Sequence, residues 1–276
     1  MASKIASKFS LLMSIYEKEN PNFFNSCMNS VIKQTYPPSE IVLVKDGPLN
    51  NELENIISKW KKRFGNKFKI IPLEKNVGLG KALQLGLLNS KYDIVARMDT
   101  DDICREDRFE KQINFLDNNP NIDIVGCWAA EFENNINNII SIRKVPILDI
   151  EIKKYARFRN PFNHPSVVFR KHAILTCGGY QSFPFLEDYY LWIRMLLKGK
   201  KFANLPEPLL LFRLDKYTFD RRGGLKYFFN EIKLQKFFLK VNFINLPIFI
   251  YNIFLRGIVR LFPNKIRKYF YMFFLR

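Results

Sequence analysis

The first 118 residues alternate between short apolar runs and longer amphipathic stretches, and this alternation constrains the fold more than any other feature. The apolar runs have the length of strands and end at turn or acidic residues; they are residues 9–15, 40–44, 68–72 and 92–98. The longer stretches have a helical period; they are residues 22–34, 51–64, 80–89 and 107–118. Strands that alternate with such helices predict βαβ units, and therefore an α/β fold with a mostly parallel central sheet.

Acidic residues follow two of the predicted strands. Asp46 comes shortly after the second strand, and Asp99 comes directly after the fourth. Open parallel sheets bind ligands in the crevice outside the carboxyl ends of their strands. The sequence therefore predicts a ligand site that contains both residues.

Three carboxylates crowd into four residues at the end of the fourth predicted strand, at Asp99, Asp101 and Asp102. Carboxylates this close repel each other unless a cation offsets their charge. Hard oxygen ligands suit Mg²⁺ or Mn²⁺ held jointly with substrate phosphates. The alternative interpretation is that these acids cap and begin a helix over residues 103–118.

A second acidic pair, Glu187 and Asp188, lies between a Gly-Gly-Tyr turn and an apolar helical pattern. Such a pair can cap the helix, or one carboxylate can act as a general base that accepts a proton from a hydroxyl nucleophile. His164 lies in the segment NPFNHPSVVF, bracketed by two prolines before a strand-like run. A lone histidine is more often structural than catalytic, but a loop histidine near phosphates can donate to them.

Positive charge is concentrated at the C-terminal end. The chain carries a formal charge of +18, and residues 221–276 hold twelve Lys or Arg and one acid, together with 15 aromatic residues. We therefore predict a domain over residues 1–220 and a basic, aromatic-rich helical extension over residues 221–276. At helical spacing its lysines fall on one arc, at Lys226, Lys233, Lys236 and Lys240. Such a segment suits an anionic membrane surface, and the alternative is a solvated helix face over a Phe-rich core.

Several features limit the class of protein further. The longest uncharged run of the extension, residues 241–255, is shorter than the about 20 residues that a spanning helix needs. The basic excess suits nucleic acid, acidic lipid or a phosphorylated substrate, but no recognised nucleic-acid-binding motif occurs. The four cysteines form no C-x-x-C pair, which indicates free thiols in a reduced, cytoplasmic chain. The N-terminus lacks the apolar core of a secretory signal.

Five motifs occur in an order that resembles family 2 glycosyltransferases of the GT-A fold. They are a first strand ending in Ser14-Ile15-Tyr16, the string SVIKQTYPPSEIVLVKDG, the spacing Asn76-Val77-Gly78 followed by Ala82 and Gly86, the string ARMDTDD, and GGY followed by FLEDYYLW. The resemblance runs from Phe9 to Leu214. Within the family, RMDTDDI, NPFNHPSV and FLEDYYLW are similar to the bacterial O-antigen and exopolysaccharide branch, including amylovoran-type galactosyltransferases.

The resemblance implies a nucleotide site at the strand ends. Ser14, Tyr16 and Asp46 would line the base and ribose of a UDP-sugar. Asp99 would contact the ribose or the water bound to a metal ion. Asp101, with Asp99, would hold Mn²⁺ or Mg²⁺ at the diphosphate.

The resemblance also implies the catalytic groups. Asp188 would be the general base, Glu187 is the second candidate, and His164 would lie near the diphosphate or the acceptor. The family often has Arg-Asn where this chain has Leu83-Gln84. Lys81 is therefore the candidate for a contact to the diphosphate.

The function implied is an inverting transfer of a sugar to a hydroxyl of a lipid-diphosphate-linked saccharide in bacterial surface polysaccharide synthesis. We expect galactose from UDP-galactose, with GlcNAc, GalNAc or glucose as the alternatives. The expected location is the inner face of the cytoplasmic membrane, as a peripheral protein without a nucleic-acid partner. Two other classes stay open at this point, a nucleotidyltransferase and a nucleic-acid-binding module.

Overall fold

The structure is a computed structural model that describes residues 7–214 and 223–257. Within these residues, nine strands form one sheet: β1 (Phe9–Ile15), β2 (Glu40–Lys45), β3 (Phe68–Pro72), β4 (Ile94–Arg97), β5 (Ile103–Cys104), β6 (Ile124–Phe132), β7 (Ile139–Arg143), β8 (Val168–Arg170) and β9 (Phe202–Arg213). All four runs that the sequence predicts as strands lie in this sheet, as β1 to β4.

Nine α-helices accompany the sheet in the same part of the chain: α1 (Pro21–Ile32), α2 (Asn51–Phe64), α3 (Leu79–Asn89), α4 (Arg108–Asn118), α5 (Asp149–Tyr155), α6 (Lys171–Thr176), α7 (Glu187–Leu197), α8 (Leu225–Lys240) and α9 (Leu246–Asn252). A π-helical turn, Ile253–Gly257, continues α9. The four predicted helices are confirmed as α1 to α4, and α2 begins and ends at the predicted residues. The predicted α/β architecture with helices at the C-terminal end is therefore confirmed.

The strand order divides the sheet into a parallel half and a mixed half. The order is β3-β2-β1-β4-β8-β6-β9-β5, with β7 paired to the outer part of β6. Strands β3, β2, β1 and β4 are parallel to one another, whereas β8 is antiparallel to both β4 and β6. The carboxyl ends of β1, β2 and β4 therefore meet at one edge, where a ligand crevice is expected.

Helices cover both faces of the sheet, and each face has its own apolar core. One core contains side chains of α1, α2 and α4, among them Phe24, Trp60 and Phe109. The other contains side chains of α3, α6, α7 and α8, among them Trp192 and Phe238. A sheet buried on both faces explains why β1 and β2 are nearly continuous apolar runs rather than alternating ones.

One glycine shows how closely α3 approaches the sheet. A Cβ on Gly86 would lie 2.3 Å from Leu12 Cδ1 and 2.8 Å from Val44 Cγ2, which is far inside van der Waals contact. The last glycine of the Asn76–Gly86 spacing is thus needed for packing, since any side chain would push α3 away from β1 and β2.

Helices α8 and α9 present two different outer surfaces. On α8, Tyr227, Leu234 and Phe238 enter the core, while Lys226, Lys233, Lys236 and Lys240 are exposed on the opposite face, as their predicted arc requires. On α9 and the π-helical turn that continues it, an apolar row is exposed instead: Leu246, Ile250 and Phe254, which are 56%, 58% and 65% exposed.

The C-terminal predictions fall partly outside this structure. Residues 215–222, which include the predicted boundary at 220, and residues 258–276 lie outside the described residues, so the division into two domains stays a prediction. Among the residues that are described, no helix combines the length and the apolar character needed to cross a membrane. All four cysteines are buried and unpaired, as free thiols require.

Candidate active site

A cleft of about 730 Å³ opens at the carboxyl ends of β1, β2 and β4. It lies between these strand ends and the N-terminal end of α7. All nine site residues named from the sequence line it: Ser14, Tyr16, Asp46, Lys81, Asp99, Asp101, His164, Glu187 and Asp188. The structure therefore brings motifs from residues 14–101 and from residues 164–188 into one site.

Asp46 anchors the turn that leads into α3. Its side chain is buried, and its two carboxylate oxygens accept the backbone N–H groups of Val77 and Gly78 at 2.7 and 3.1 Å. The Asn76 side chain donates to the backbone oxygen of Asp46 at 3.2 Å. The Asn-Val-Gly motif is thus tied to the end of β2, and Asp46 reaches the cleft as part of this fixed turn.

The acidic cluster has the geometry of a cation site. One carboxylate oxygen from each of Asp99, Asp101 and Asp102 lies within 4.8 Å of the others. Asp102 is fully buried; its Oδ1 accepts the backbone N–H of Arg213 at 3.0 Å, and its Oδ2 has no hydrogen-bond partner among the described residues. Burial, followed by the charges of Asp101 and Asp99, raises the pKa of Asp102 well above its ordinary value. This set of hard oxygen donors fits Mg²⁺ or Mn²⁺.

The alternative interpretation of these acids as the start of a helix is wrong. The next element is the short strand β5, which pairs with β9, and α4 begins only at Arg108. The register of β5 against β9 holds residues 99–102 as a separate loop. The cluster therefore has no helix to cap.

Two arginines flank the acidic loop. Arg97, the last residue of β4, is 1% exposed and pairs with Asp99, while its Nε and Nη1 have no hydrogen-bond partner among the described residues. Arg213, at the end of β9, donates from Nε to the backbone oxygen of Asp101 at 2.9 Å. Its guanidinium lies 4.0 Å from the ring centroid of Phe23. The arginines thus fix the loop from both sides.

Glu187 and Asp188 form the first turn of α7; Glu187 is buried, and the side chain of Asp188 is 15% exposed. Asp188 Oδ2 accepts a hydrogen bond from the Asn160 side chain at 2.6 Å, and its Oδ1 accepts the N–H of Tyr189 at 2.7 Å. Burial raises the pKa of Asp188, and the Asn160 hydrogen bond opposes that shift. Burial and the charge of Asp188 raise the pKa of Glu187 to about 7. The hydrogen bonds favour the ionised form of Asp188 in particular, which suits a base.

His164 lies directly behind this pair. Its Nδ1 is 4.0 Å from Asp188 Oδ2, and its Nε2 is hydrogen-bonded to the Tyr180 hydroxyl at 3.0 Å. Burial, with a smaller contribution from the charge of Arg97, lowers the pKa of His164 well below its ordinary value. The imidazole is therefore neutral at pH 7.

A close approach of α3 holds Tyr180 in place. The Gln84 side chain accepts the backbone N–H of Tyr180 at 2.7 Å. Gly179 has φ +64°, and a Cβ there would lie 2.1 Å from Gln84 Oε1. Gln84, at the position where the family often has Asn, thus supports the Gly-Gly-Tyr turn.

Sequence reasoning missed several residues of the cleft. Arg97 had a signal, since a cation in an otherwise apolar strand is unusual. Asn160 and Arg213 had none, because their partners lie far away in the chain. The same holds for residues from α8, α9 and the following turn that also line the cleft, among them Tyr227, Tyr251 and Arg256.

A parallel half-sheet with an acidic loop after β4 and a buried carboxylate pair at the start of α7 defines a nucleotide-sugar transferase of the GT-A class. The model of the family described as "Glycosyl transferase family 2" matches residues 10–178. The chain belongs to this family. Membership favours sugar transfer over the nucleotidyltransferase and the nucleic-acid-binding module.

Two similar proteins have names that state an activity or a pathway. A UDP-Gal:alpha-D-GlcNAc-diphosphoundecaprenol beta-1,3-galactosyltransferase of Escherichia coli is 42% identical over 264 residues, which cover 96% of this chain and 95% of that protein. The amylovoran biosynthesis glycosyltransferase AmsE of Erwinia amylovora is 38% identical over 266 residues, covering 95% of this chain and 97% of that protein. The predicted resemblance to this bacterial branch is confirmed.

Solved structures confirm the fold. Staphylococcus aureus TarS in complex with UDP-GlcNAc has a TM-score of 0.67 at 15% identity, covering 98% of this chain and 76% of that chain. The mannosyltransferase PcManGT from Pyrobaculum calidifontis, in complex with GDP-Man and Mn²⁺, has a TM-score of 0.64 at 14% identity, covering 91% of this chain and 69% of that chain. At these identities the likeness shows the fold alone.

Proposed function

We propose that this protein transfers galactose from UDP-galactose to a hydroxyl of a GlcNAc residue linked through diphosphate to a polyprenyl lipid. The observation that carries the proposal is the 42% identity to the E. coli galactosyltransferase over 96% of the chain. The amylovoran relative is consistent with a role in surface polysaccharide synthesis. UDP-GlcNAc, UDP-GalNAc and UDP-glucose are the alternative donors.

The donor side of the cleft consists of Ser14, Tyr16, Asp46, Asp99 and Asp101. In this proposal the first three receive the uridine, because they lie at the ends of two neighbouring parallel strands. Asp99 and Asp101 would hold Mn²⁺ or Mg²⁺. A divalent cation bound there supplies positive charge that offsets the negative charge developing on the leaving diphosphate.

Lys81 supplies a further cation for the donor diphosphate. It is exposed in the first turn of α3 and lines the cleft. The N-terminal end of a helix also favours an anion, since its N–H groups point outward. Lys81 therefore supplies the diphosphate contact in place of the arginine that the family often has at the position of Leu83.

The acceptor side of the cleft consists of Asn160, His164, Tyr180, Glu187 and Asp188. Asp188 removes the proton from the acceptor hydroxyl as its oxygen forms a bond to the anomeric carbon of galactose. The bond from that carbon to the diphosphate oxygen breaks at the same time, and UDP leaves. One displacement inverts the anomeric carbon, so that an α-linked donor gives a β-linked product.

His164 is a neutral neighbour of the base Asp188. A neutral imidazole between Tyr180 and Asp188 adds no positive charge that would weaken the base. Glu187, whose pKa is raised to about 7, is partly protonated at neutral pH and can donate to a sugar hydroxyl. We assign the base to Asp188 because Asn160 stabilises its ionised form.

We place the protein at the membrane surface through α8 and α9. The exposed lysines of α8 suit anionic headgroups, and the exposed apolar row of α9 suits the region just below them. The predicted membrane contact of the whole segment 221–276 includes residues outside the described ones. Within the described residues, α8 supplies the exposed lysines and α9 supplies the exposed apolar row.

The test of the reaction is a panel of UDP-sugars offered with a synthetic GlcNAc-diphosphate lipid and scored by mass spectrometry. Transfer of one hexose from UDP-galactose, and slower transfer from the other donors, is the expected result. Preference for another UDP-sugar would correct the donor while keeping the class. Release of pyrophosphate without sugar transfer would overturn the proposal.

The membrane contact is tested by vesicle sedimentation. Replacing Lys233 and Lys236 by Gln should weaken binding to anionic vesicles at least tenfold, since each cation contributes about 1 kcal/mol at such a surface. Replacing Lys59 and Lys62 on α2 makes the same charge change elsewhere and should have little effect. Equal loss for the two pairs would show that only net charge matters.

A further inference from the structure

Four aromatic side chains form a rim at the mouth of the cleft, and the donor and base roles use none of them. Phe185 stacks on Tyr227 with ring centroids 5.4 Å apart, and Phe158 meets Tyr251 edge-on at 5.9 Å. All four line the cleft. We call Phe158, Phe185, Tyr227 and Tyr251 the aromatic rim. Phe158, Phe185 and Tyr251 are 38%, 45% and 53% exposed, so that large apolar surfaces face water beside the active site.

The backbone at Phe185 has an uncommon, strained conformation. Phe185 has φ +70°, a left-handed conformation that residues with a bulky side chain rarely adopt. Such strain is concentrated at functional sites, where the surrounding structure maintains it. Phe185 precedes Glu187 by two residues, so this member of the rim is close in the chain to the carboxylate pair.

Three consecutive residues of the cleft wall differ in chemistry in a regular order. Phe158, Arg159 and Asn160 are consecutive, and they supply a rim aromatic, a cation and the amide that holds Asp188. Two residues of extended chain span at most about 7 Å, so this order is kept within a short distance. Arg143 also lines the cleft, and its charge lowers the pKa of Asp188, so a second cation lies near the base.

The C-terminal helices hold this wall in position. Arg256 donates to the backbone oxygen of Phe158 at 2.9 Å and pairs with the fully buried Glu231 at 3.2 Å. Asn252 donates to the backbone oxygen of Arg157 at 2.9 Å. Hydrogen bonds therefore join the segment that carries Phe158 to the C-terminal helices that carry Tyr227 and Tyr251.

We propose that the aromatic rim binds the isoprenoid chain of a polyprenyl diphosphate-sugar acceptor, with the acceptor diphosphate beside Arg143 and Arg159. Starting from the reacting hydroxyl, such an acceptor presents a sugar, a diphosphate and an apolar chain. Starting from Asn160, which holds Asp188, the cleft wall presents a cation at Arg159 and then an aromatic ring at Phe158, in the same order. The site adds acceptor contacts to the donor and base roles, and it rests on the proposed function.

The physical gain comes from covering the exposed rings. Each buried methylene contributes about 0.8 kcal/mol, so a few isoprene units against aromatic faces strengthen binding noticeably. The rim also adjoins α9, whose exposed apolar row faces outward. A chain leaving the cleft over Tyr251 therefore continues along an apolar surface.

The experiment compares two soluble acceptors, the farnesyl and the methyl ester of GlcNAc diphosphate, with UDP-galactose as donor. The wild-type kcat/KM should be at least about tenfold higher for the farnesyl acceptor. Phe185→Asn removes the ring and introduces a residue that tolerates positive φ. Tyr251→Ala removes a ring at an exposed position of α9. Each should lower kcat/KM about tenfold for the farnesyl acceptor and leave the methyl acceptor and the hydrolysis of UDP-galactose unchanged.

Leu88→Ala is the matched control, since Leu88 is an exposed apolar residue of α3 outside the cleft. It should change neither acceptor. Phe158→Ala serves as a third rim variant if Phe185→Asn does not fold. Equal loss on both acceptors in the rim variants would show that the rim is structural, which overturns the proposal.

Two outcomes for the wild type separate this proposal from the proposed function. Transfer to both acceptors at equal kcat/KM would refute the rim alone, and would mean that a bilayer or another part of this chain covers it. Transfer to neither acceptor, with UDP-galactose still hydrolysed, would refute the proposed acceptor and the rim together.

Discussion

The donor side and the acceptor side of the cleft are built in different ways. Each donor-side residue lies at or just beyond the carboxyl end of a buried strand, so its position follows from the local order of the chain. The acceptor side is assembled by contacts between distant residues, such as Asn160 with Asp188 and Gln84 with Tyr180. One side is thus determined by the topology of the sheet and the other by long-range packing.

The two sides also differ in charge. The donor-side acids are crowded and partly open, and Asp99 is 33% exposed as a side chain. The acceptor-side acids are less exposed, with 15% of the Asp188 side chain open to solvent, and they lie near an amide, a phenol and a neutral imidazole. Removing a carboxylate from the donor side should therefore affect binding of metal and nucleotide, whereas changes on the acceptor side should affect proton transfer and its pH dependence.

The largest effect is expected on the donor side. Asp101→Asn should lower transfer by at least about 10³, because loss of a metal ligand removes several kcal/mol of charge stabilisation. Binding of UDP-galactose in the presence of Mn²⁺, measured by calorimetry, should weaken as well. Chelation should abolish wild-type transfer, and Mn²⁺ or Mg²⁺ should restore it.

Asp117→Asn provides the control for this change, since Asp117 is an acid of α4 outside the cleft. It should keep full activity. Full turnover of the wild type in excess chelator would show that transfer needs no metal ion and that the acidic loop is structural.

On the acceptor side, Asp188→Asn should lower the rate of transfer by about 10²–10⁴, which is the range for loss of a general base. The amide keeps the shape and cannot accept the proton. The affinity for UDP-galactose should stay within a few-fold of the wild type. If the affinity for UDP-galactose collapses while turnover persists, Asp188 belongs to the donor side, and the division into donor and acceptor sides fails.

Glu187→Gln should lower the transfer rate less than Asp188→Asn does, and it should also stabilise the fold at high pH. The pKa of Glu187 is about 7 in the folded chain, against an ordinary value of 4.5. The folded chain therefore holds the proton longer, and its stability falls as pH rises from 4.5 to 7. Glutamine has no proton to lose, so above pH 7 the variant should be more stable by roughly 2–3 kcal/mol.

Urea unfolding at pH 5 and pH 8 measures this effect. The two proteins should differ little at pH 5 and most at pH 8. A constant difference at both pH values would mean that the substitution acts through packing. A larger loss of activity for Glu187→Gln than for Asp188→Asn would move the base to Glu187.

The smallest effect is expected from Asn160→Ala. Asn160 stabilises the ionised form of Asp188, so its loss raises the pKa of Asp188 and the acidic limb of kcat/KM should shift to higher pH. At neutral pH the rate should fall only severalfold, in line with about 1 kcal/mol for one hydrogen bond. Activity lost equally at every pH would show that Asn160 only maintains the fold.

The same comparison explains what the sequence could predict. The strand-end rule located Asp46 and Asp99, and family motifs located Asp188 and His164, all of which line the cleft. The rule also has a limit, since the helix interpretation of the acidic loop overlooked the short strand β5. Pairing of β5 with β9, about 100 residues later, leaves no mark in the local pattern.

The contacts that hold the acceptor side leave no such mark either. Gln84 supports the Gly-Gly-Tyr turn because α3 and that turn pack together, which depends on the whole fold. The change in composition near residue 221 predicts a domain boundary. However, Tyr227, Leu234 and Phe238 enter the same core as Trp192. Spacing shows which residues share a face, but it does not show what that face contacts.

The stereochemistry of the product tests the account most directly, because it depends on both sides of the cleft at once. Wild-type protein with UDP-galactose and a GlcNAc-diphosphate lipid should give a product whose anomeric proton, observed by NMR, reports a β-linked galactose. That result is required if the donor side holds an α-linked sugar nucleotide while Asp188 deprotonates the attacking hydroxyl. An α-linked product would contradict a single displacement and the role assigned to Asp188.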